Sequence, residues 1–267
     1  MVITVGVLAL QGGFHEHIQL LRKASEHLAT SGASKEQIDL IEVRTPEELS
    51  RCDALIIPGG ESTTIALIAA QSGLLEPLRS FVKVERKPTW GTCAGLILLA
   101  EEANATKKGG QELIGGLDVR VHRNHFGRQI ESFVADVELP FLGDDAETPS
   151  SAAPFPAVFI RAPVVEQLLP HTRLASGQAG GEAHVPNAET EHKSEVEVLA
   201  VVPGRTKRVK GGLGSDESSS AGDGDVNDIV AVRQGNILGT SFHPELTNDV
   251  RIHVWWLQQV LKSAGQA

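Results

Sequence analysis

The first hundred residues switch between two hydrophobic periods. Residues 2–9 form a continuous apolar run, the pattern of a strand covered on both faces. Gln11, Gly12 and Gly13 then turn the chain into a segment whose Phe14, Ile18, Leu21 and Leu28 fall near helical spacing, which predicts an amphipathic helix. Residues 38–43 and 54–57 predict a second and a third strand. The third ends in Pro58-Gly59-Gly60 and leads into Glu61, Ser62, Thr63, Thr64 and the apolar run 65–70. Ser62 or Thr63 is the expected N-cap of that helix. A helix around 75–82, a strand over 88–92 and a helix beginning near Ala94 complete the first half. Strand and helix alternating in this way predict an α/β fold, a three-layer sandwich with a mostly parallel central sheet flanked by helices.

The second half is richer in strands, expected over 131–139, 157–160, 196–202, 229–233 and 237–242, with Gln234-Gly235-Asn236 joining the last two as a hairpin turn. A final helix at about 249–262 buries some of Ile252, Val254, Trp255, Trp256, Leu257 and Leu261. Three stretches, at about 140–156, 171–194 and 204–227, lack apolar periodicity and are rich in Gly, Ser, Ala, Pro and acidic residues. They read as loop insertions in a single domain spanning 1–267. The basic run 205–210 inside the third reads as solvated loop. There is no internal repeat.

Composition narrows the function classes. The chain has 267 residues, 41% of them hydrophobic, enough for one large α/β domain. A formal net charge of −10 argues against nucleic acid as a partner. The first apolar run lacks the basic flank of a signal peptide, and no later run approaches the roughly 20 apolar residues of a membrane span. Cys52 and Cys93 are the two cysteines, expected as free thiols of a reducing compartment, the cytoplasm. No His, Cys and acid spacing resembles a zinc site, so no metal is expected.

The candidate chemistry begins at Cys93. Gly91-Thr92-Cys93-Ala94-Gly95 has the Gly-x-nucleophile-x-Gly form of an elbow between strand and helix. A nucleophile there stands on a strained turn, and glycines on either side remove side chains that would collide with neighbouring backbone. A nucleophilic cysteine needs a base, and the base an orienting group. Of ten histidines, His243 is the candidate base. It closes the strand 237–242, Pro244 keeps it extended, and Glu245 two residues on faces the same way. His15, His17, His27, His122, His125 and His253 fall on predicted helices or loops without such a partner. Backbone N–H groups of Gly60, in the turn after the third strand, and of Ala94 suit an oxyanion hole. On these residues alone, a protease-like or deglycase-like enzyme with an elbow cysteine and a non-catalytic partner protein stay open. The His-Pro-Glu pairing argues against the first and the intact triad against the second.

With these pieces placed, the chain resembles the class I glutamine amidotransferase superfamily, and within it the glutaminase subunits of pyridoxal 5′-phosphate synthases. The stretches that carry the resemblance are GVLALQGGFHEH (6–17), PGGEST (58–63), GTCAGLILLA (91–100), GGLDVRVHRNHFGRQIESF (115–133), FIRAP (159–163) and SFHPEL (241–246). It implies a flavodoxin-like fold, a Cys93–His243–Glu245 triad, and L-glutamine held by Gly60, Glu61 and Ser62, by Arg128, and by Ile160 with Arg161. Glutamine is a zwitterion, which suits Glu61 on its α-ammonium and arginine on its α-carboxylate. The resemblance also implies that Gln11 lies on a partner-facing side, that the partner is a TIM-barrel synthase subunit using the ammonia, and that this chain needs no cofactor.

Overall fold

Apolar runs too short to span a helix become strands wherever both of their faces can be covered. The computed structural model describes residues 2–33, 36–104, 111–123, 132–143, 153–170, 194–203 and 227–265. The strands are β1 (Val2–Leu8), β2 (Gln37–Val43), β3 (Ala54–Ile57), β4 (Thr89–Thr92), β5 (Ala100–Ala103) and β6 (Leu117–His122), then β7 (Phe133–Val137), β8 (Phe155–Phe159), β9 (Val164–Leu168), β10 (Glu197–Pro203), β11 (Asn227–Gln234) and β12 (Ile237–Thr240). The helices are α1 (Phe14–Thr30), α2 (Pro46–Ser50), α3 (Ser62–Gln71), α4 (Leu75–Arg79), α5 (Ala94–Leu99) and α6 (Arg251–Ala264).

The large sheet has the order β2-β1-β3-β4-β12-β11-β9-β6-β5, with β10 also paired to β11. Its first five strands are mutually parallel, and β12 takes the fifth place of the flavodoxin-like order. Beyond β12 the direction reverses: β11 pairs antiparallel with β12, β9 and β10. β6 is antiparallel to β9 and parallel to β5. The reversal begins at the expected hairpin, where Gln234 and Ile237 pair across Gly235 and Asn236.

Period-two alternation divides β3 between two cores. Ala54 and Ile56 face α1 and α6, packing with Ile18, Leu21, Leu28, Ile252 and Trp256. Leu55 and Ile57 face the other way, with Ile65 and Ala69 of α3 and Leu96 and Leu99 of α5. This gives helices on both faces of a mostly parallel sheet. β7 and β8 form a separate antiparallel pair whose Phe155, Ala157 and Phe159 join the α1–α6 side.

Several boundaries differ from the sequence expectation. The helix expected over 75–82 ends at Arg79 and continues as a π-helical turn, Ser80–Val84, that buries Phe81 and Val82. The stretch 140–156 is structured at both ends: Pro140–Gly143 is a 3-10 turn and Phe155, fully buried, opens β8. Residues 144–152, 171–193 and 204–226, with the basic run 205–210, lie outside the described residues. Among the described residues no helix is long and apolar enough to cross a membrane.

Candidate active site

β4 runs between β3 and β12 and delivers Cys93 at its C-terminal end. Cys93 has φ +47° and ψ −99°, a backbone region that costs a non-glycine residue about 1–3 kcal/mol. Its N–H donates to the Thr240 carbonyl at 2.8 Å, and its carbonyl accepts from Ile97 at 3.2 Å, so both neighbouring elements hold the turn. A Cβ on Gly91 would meet the Gly95 carbonyl carbon at 2.5 Å, and one on Gly95 would meet the Ile57 oxygen at 2.0 Å. The elbow therefore requires glycine on both sides, for the reason read from the sequence. Gly95→Ala is expected to lower stability by about 2 kcal/mol or more, since the obstacle is backbone and cannot repack. A thermal melt within a degree of the wild type would contradict this.

β12 lies in register with β4, Thr240 beside Thr92, so His243 emerges next to Cys93. The His243 backbone N–H donates to Val158 O at 2.8 Å. Its Nδ1 lies 2.7 Å from Glu245 Oε1, and the ring and Cys93 border the same point above Gly59. Glu245 does not reach His243 along an extended chain, as the two-residue spacing suggested. Pro244–Leu246 is a 3-10 turn that folds the carboxylate back beneath the ring. Burial opposes charge on His243, but the neighbouring Cys93 and the bonded Glu245 outweigh it and push the imidazole up to about 10. Burial likewise opposes the Glu245 carboxylate, yet His17 and His243 hold it well below the usual carboxylate range. At neutral pH the imidazole is thus protonated against an ionised partner.

The turn after β3 passes over this pair. A Cβ on Gly59 would lie 2.3 Å from His243 Cε1 and 3.4 Å from Cys93 Cβ. The Gly59 N–H donates to Thr92 Oγ1 at 2.9 Å and its carbonyl accepts from Gly13 at 3.1 Å. Gln11 reaches the same turn, its Oε1 accepting from the Glu61 N–H at 2.7 Å. The N-cap of α3 is Glu61, not Ser62 or Thr63. Its extended backbone lets Oε2 accept from Thr64 N at 2.6 Å and Thr64 Oγ1 at 2.7 Å, and Ser62 becomes the first helical residue.

Ser62 Oγ donates to Gln111 Oε1 at 3.0 Å and accepts from Arg123 Nη2 at 3.1 Å. The same nitrogen donates to Thr63 Oγ1 at 3.1 Å. Arg123, not foreseen, is therefore the arginine beside the Glu61–Ser62 turn, whereas Arg128 lies outside the described residues. On the remaining side, the Cys93 thiol points to the Ile160 carbonyl at 4.0 Å. Arg161 follows it, exposed and with φ +48°. Both cysteines are free and buried. Among the described residues no group of three or more His, Cys, Asp or Glu is placed to hold a metal ion.

A cysteine on a strained elbow, a His–Glu pair beside it and a glycine turn above it are the parts that thiol acyl transfer would need. The profile described as the SNO glutamine amidotransferase family matches residues 7–191 and 182–262. The chain belongs to this family. The amidotransferase is similar to the probable pyridoxal 5′-phosphate synthase subunit PDX2 of Arabidopsis thaliana, 43% identical over 96% of this chain and 85% of that one. It is also similar to the pyridoxal 5′-phosphate synthase subunit PdxT of Thermococcus onnurineus, 37% identical over 97% of this chain and 100% of that one. A crystal structure of a glutamine amidotransferase, 36% identical, superposes with a TM-score of 0.62 over 96% of this chain and 98% of that one.

Three residues beside the candidate site of this amidotransferase escaped the sequence reading. His17 and His253, read as lacking a partner, are fully buried behind Glu245 and meet each other. A signal existed: His17 falls in the apolar stripe of Phe14, Ile18 and Leu21, and His253 in that of Ile252, Trp256 and Leu257. For Arg123 nothing local distinguished it from the arginines around it.

Proposed function

We propose that this amidotransferase hydrolyses L-glutamine to glutamate and ammonia through Cys93, His243 and Glu245, and passes the ammonia to the synthase subunit of a pyridoxal 5′-phosphate synthase. The observation that carries the reading is Cys93 on its elbow, beside an imidazole whose Nδ1 lies 2.7 Å from a buried carboxylate. Cys93, as thiolate, attacks the side-chain amide carbon. The tetrahedral oxyanion is met by the N–H groups of Gly60 and Ala94; the Gly59 N–H is already engaged by Thr92. His243 gives its proton to the nitrogen, the C–N bond breaks and ammonia leaves a thioester. Water, losing a proton to the same imidazole, then releases glutamate and restores the thiol–imidazole pair.

Glu61 and Arg123 supply opposite charges beside the Ser62 turn, which suits the α-ammonium and α-carboxylate of a free amino acid. Arg128 retains its place in the reading as a second cation, and Ile160 with Arg161 forms the wall across from the thiol. Gln11, bound to the Glu61 N–H, connects the glycine turn to the side we assign to the partner, a TIM-barrel subunit. No cofactor or metal is invoked, and the two free thiols suit the cytoplasm.

The test is glutamate release from glutamine with and without the synthase subunit from the same organism. Turnover is expected to rise when the synthase is added, because docking at Gln11 orders the turn that carries Gly60. Absence of glutamine hydrolysis under both conditions would sink the activity. Hydrolysis without any complex on gel filtration would leave a glutaminase with a different ammonia acceptor.

A further inference from the structure

Behind the triad lies a buried pair of histidines that the mechanism above does not use. His17 of α1 and His253 of α6 are both fully buried and meet through His17 Nδ1 and His253 Nε2 at 3.0 Å. The other nitrogen of His17, Nε2, lies 3.3 Å from Glu245 Oε2 and 3.2 Å from Thr92 Oγ1. Trp90 closes the side, its ring edge-on to His17 at 5.7 Å. Glu245 is thus held from two directions, by His243 on Oε1 and by His17 on Oε2. Among the described residues Oε2 makes no hydrogen bond of ordinary geometry, and His17 Nε2 is the nitrogen that faces it.

An ionised carboxylate only accepts, so a His17 nitrogen that holds Glu245 must carry hydrogen. Burial, and then the proximity of His17, hold His253 well below the usual imidazole range, so it stays neutral. Its Nδ1 has no partner among the described residues.

We propose that His17 is a positioning residue for the glutaminase reaction: from α1 its Nε2 faces and holds the second oxygen of Glu245, with His253 of α6 against its other nitrogen. The same imidazole touches Thr92, whose hydroxyl accepts from the Gly59 N–H. One side chain therefore borders both the acid of the triad and the glycine turn. The titratable groups facing Glu245 are His243 on its own turn and His17 on α1; those facing His17 are Glu245 and His253 on α6. The inference rests on reading Cys93, His243 and Glu245 as the triad.

The test compares His17→Gln, His17→Asn and His17→Leu in the full chain with its synthase partner. Gln presents an amide N–H where Nε2 stood, towards Glu245; Asn presents one where Nδ1 stood, towards His253. The Asn and Leu variants are expected to lose about 10- to 100-fold in kcat with KM changed less than about threefold, and the Gln variant to lose less than about tenfold. Without a donor on Oε2 the carboxylate protonates more readily. The acid limb of kcat therefore moves to higher pH in Asn and Leu, a change that a merely space-filling role would not produce. Equal kcat and equal acid limbs for Gln and Asn overturn the proposal, and that pair decides it even if the Leu variant does not fold. Alkylation of Cys93 by iodoacetamide across the same pH range needs no glutamine. Slower alkylation at neutral pH in Asn than in Gln supports the positioning role, and identical profiles overturn it. Failure of the wild-type chain to hydrolyse glutamine is a separate result and counts against the proposed function.

Discussion

Cys93→Ala is expected to abolish glutamine hydrolysis, lowering kcat by about 10,000-fold or more, with Tm within about 3 °C of the wild type. The asymmetry follows from what the side chain does in the fold. Its sulfur makes one long contact, 4.0 Å to the Ile160 carbonyl, and the backbone of the elbow is held by Thr240 and Ile97 whatever residue stands there. Alanine can occupy the φ +47° position at a similar strain, so little stability changes hands. Chemistry loses its only electron-pair donor to the amide carbon, and water cannot substitute because the thioester is what divides one hard step into two. Cys93→Ser is expected to fall nearly as far. Its hydroxyl is a far weaker nucleophile than a thiolate and the surroundings are built around a charged imidazole. Steady-state release of glutamate and a melting curve on the same preparation check both halves, and retained turnover in either variant removes Cys93 from the mechanism.

The second large effect is expected from Glu245→Gln, a loss of about 100- to 10,000-fold in kcat with glutamine KM changed far less. The substitution keeps size and shape. It removes a charge and turns one of two acceptor oxygens into a donor. In the wild type both His243 and His17 face carboxylate oxygens, at 2.7 Å and 3.3 Å. An amide satisfies one of these and sets its own N–H against the other ring, so one histidine must change tautomer. The pH profile carries the diagnostic part. Glu245 is one of the groups that push His243 up to about 10, and a neutral amide withdraws that support. A base raised by its partners loses its proton at lower pH when a partner is removed, so the alkaline limb of kcat moves down. An unchanged alkaline limb would mean that Glu245 does not act through His243.

Much of this site was legible because its parts are close in sequence. Strand, elbow and helix around Cys93 occupy consecutive residues, and the steric need for Gly91 and Gly95 is a property of the turn itself. His243 and Glu245 are two apart, which allowed their pairing to be read even though the connection is a 3-10 turn and not an extended chain. The N-cap shows where local reasoning slips. Residue preferences favoured Ser62 or Thr63, but the extended backbone at Glu61 let its carboxylate reach Thr64 first.

The long-range partners were a different matter. His17 meets Thr92 across 75 positions and His253 across 236, and Arg123 meets Ser62 across 61. Whether a helical histidine faces solvent, core or carboxylate depends on the rotation of its helix against the sheet, and that is settled by the packing of the whole apolar face. The sequence by itself determined the parallel sheet with helices on both sides, the elbow with its cysteine, and the His–Glu pair, because each is written in periodicity or in neighbouring residues. Only the tertiary structure decided which buried groups complete the environment of Glu245 and which arginine stands beside Glu61. Those identities depend on distances between elements, and such distances exist only once the sheet order has brought α1, α6 and β4 together around one carboxylate.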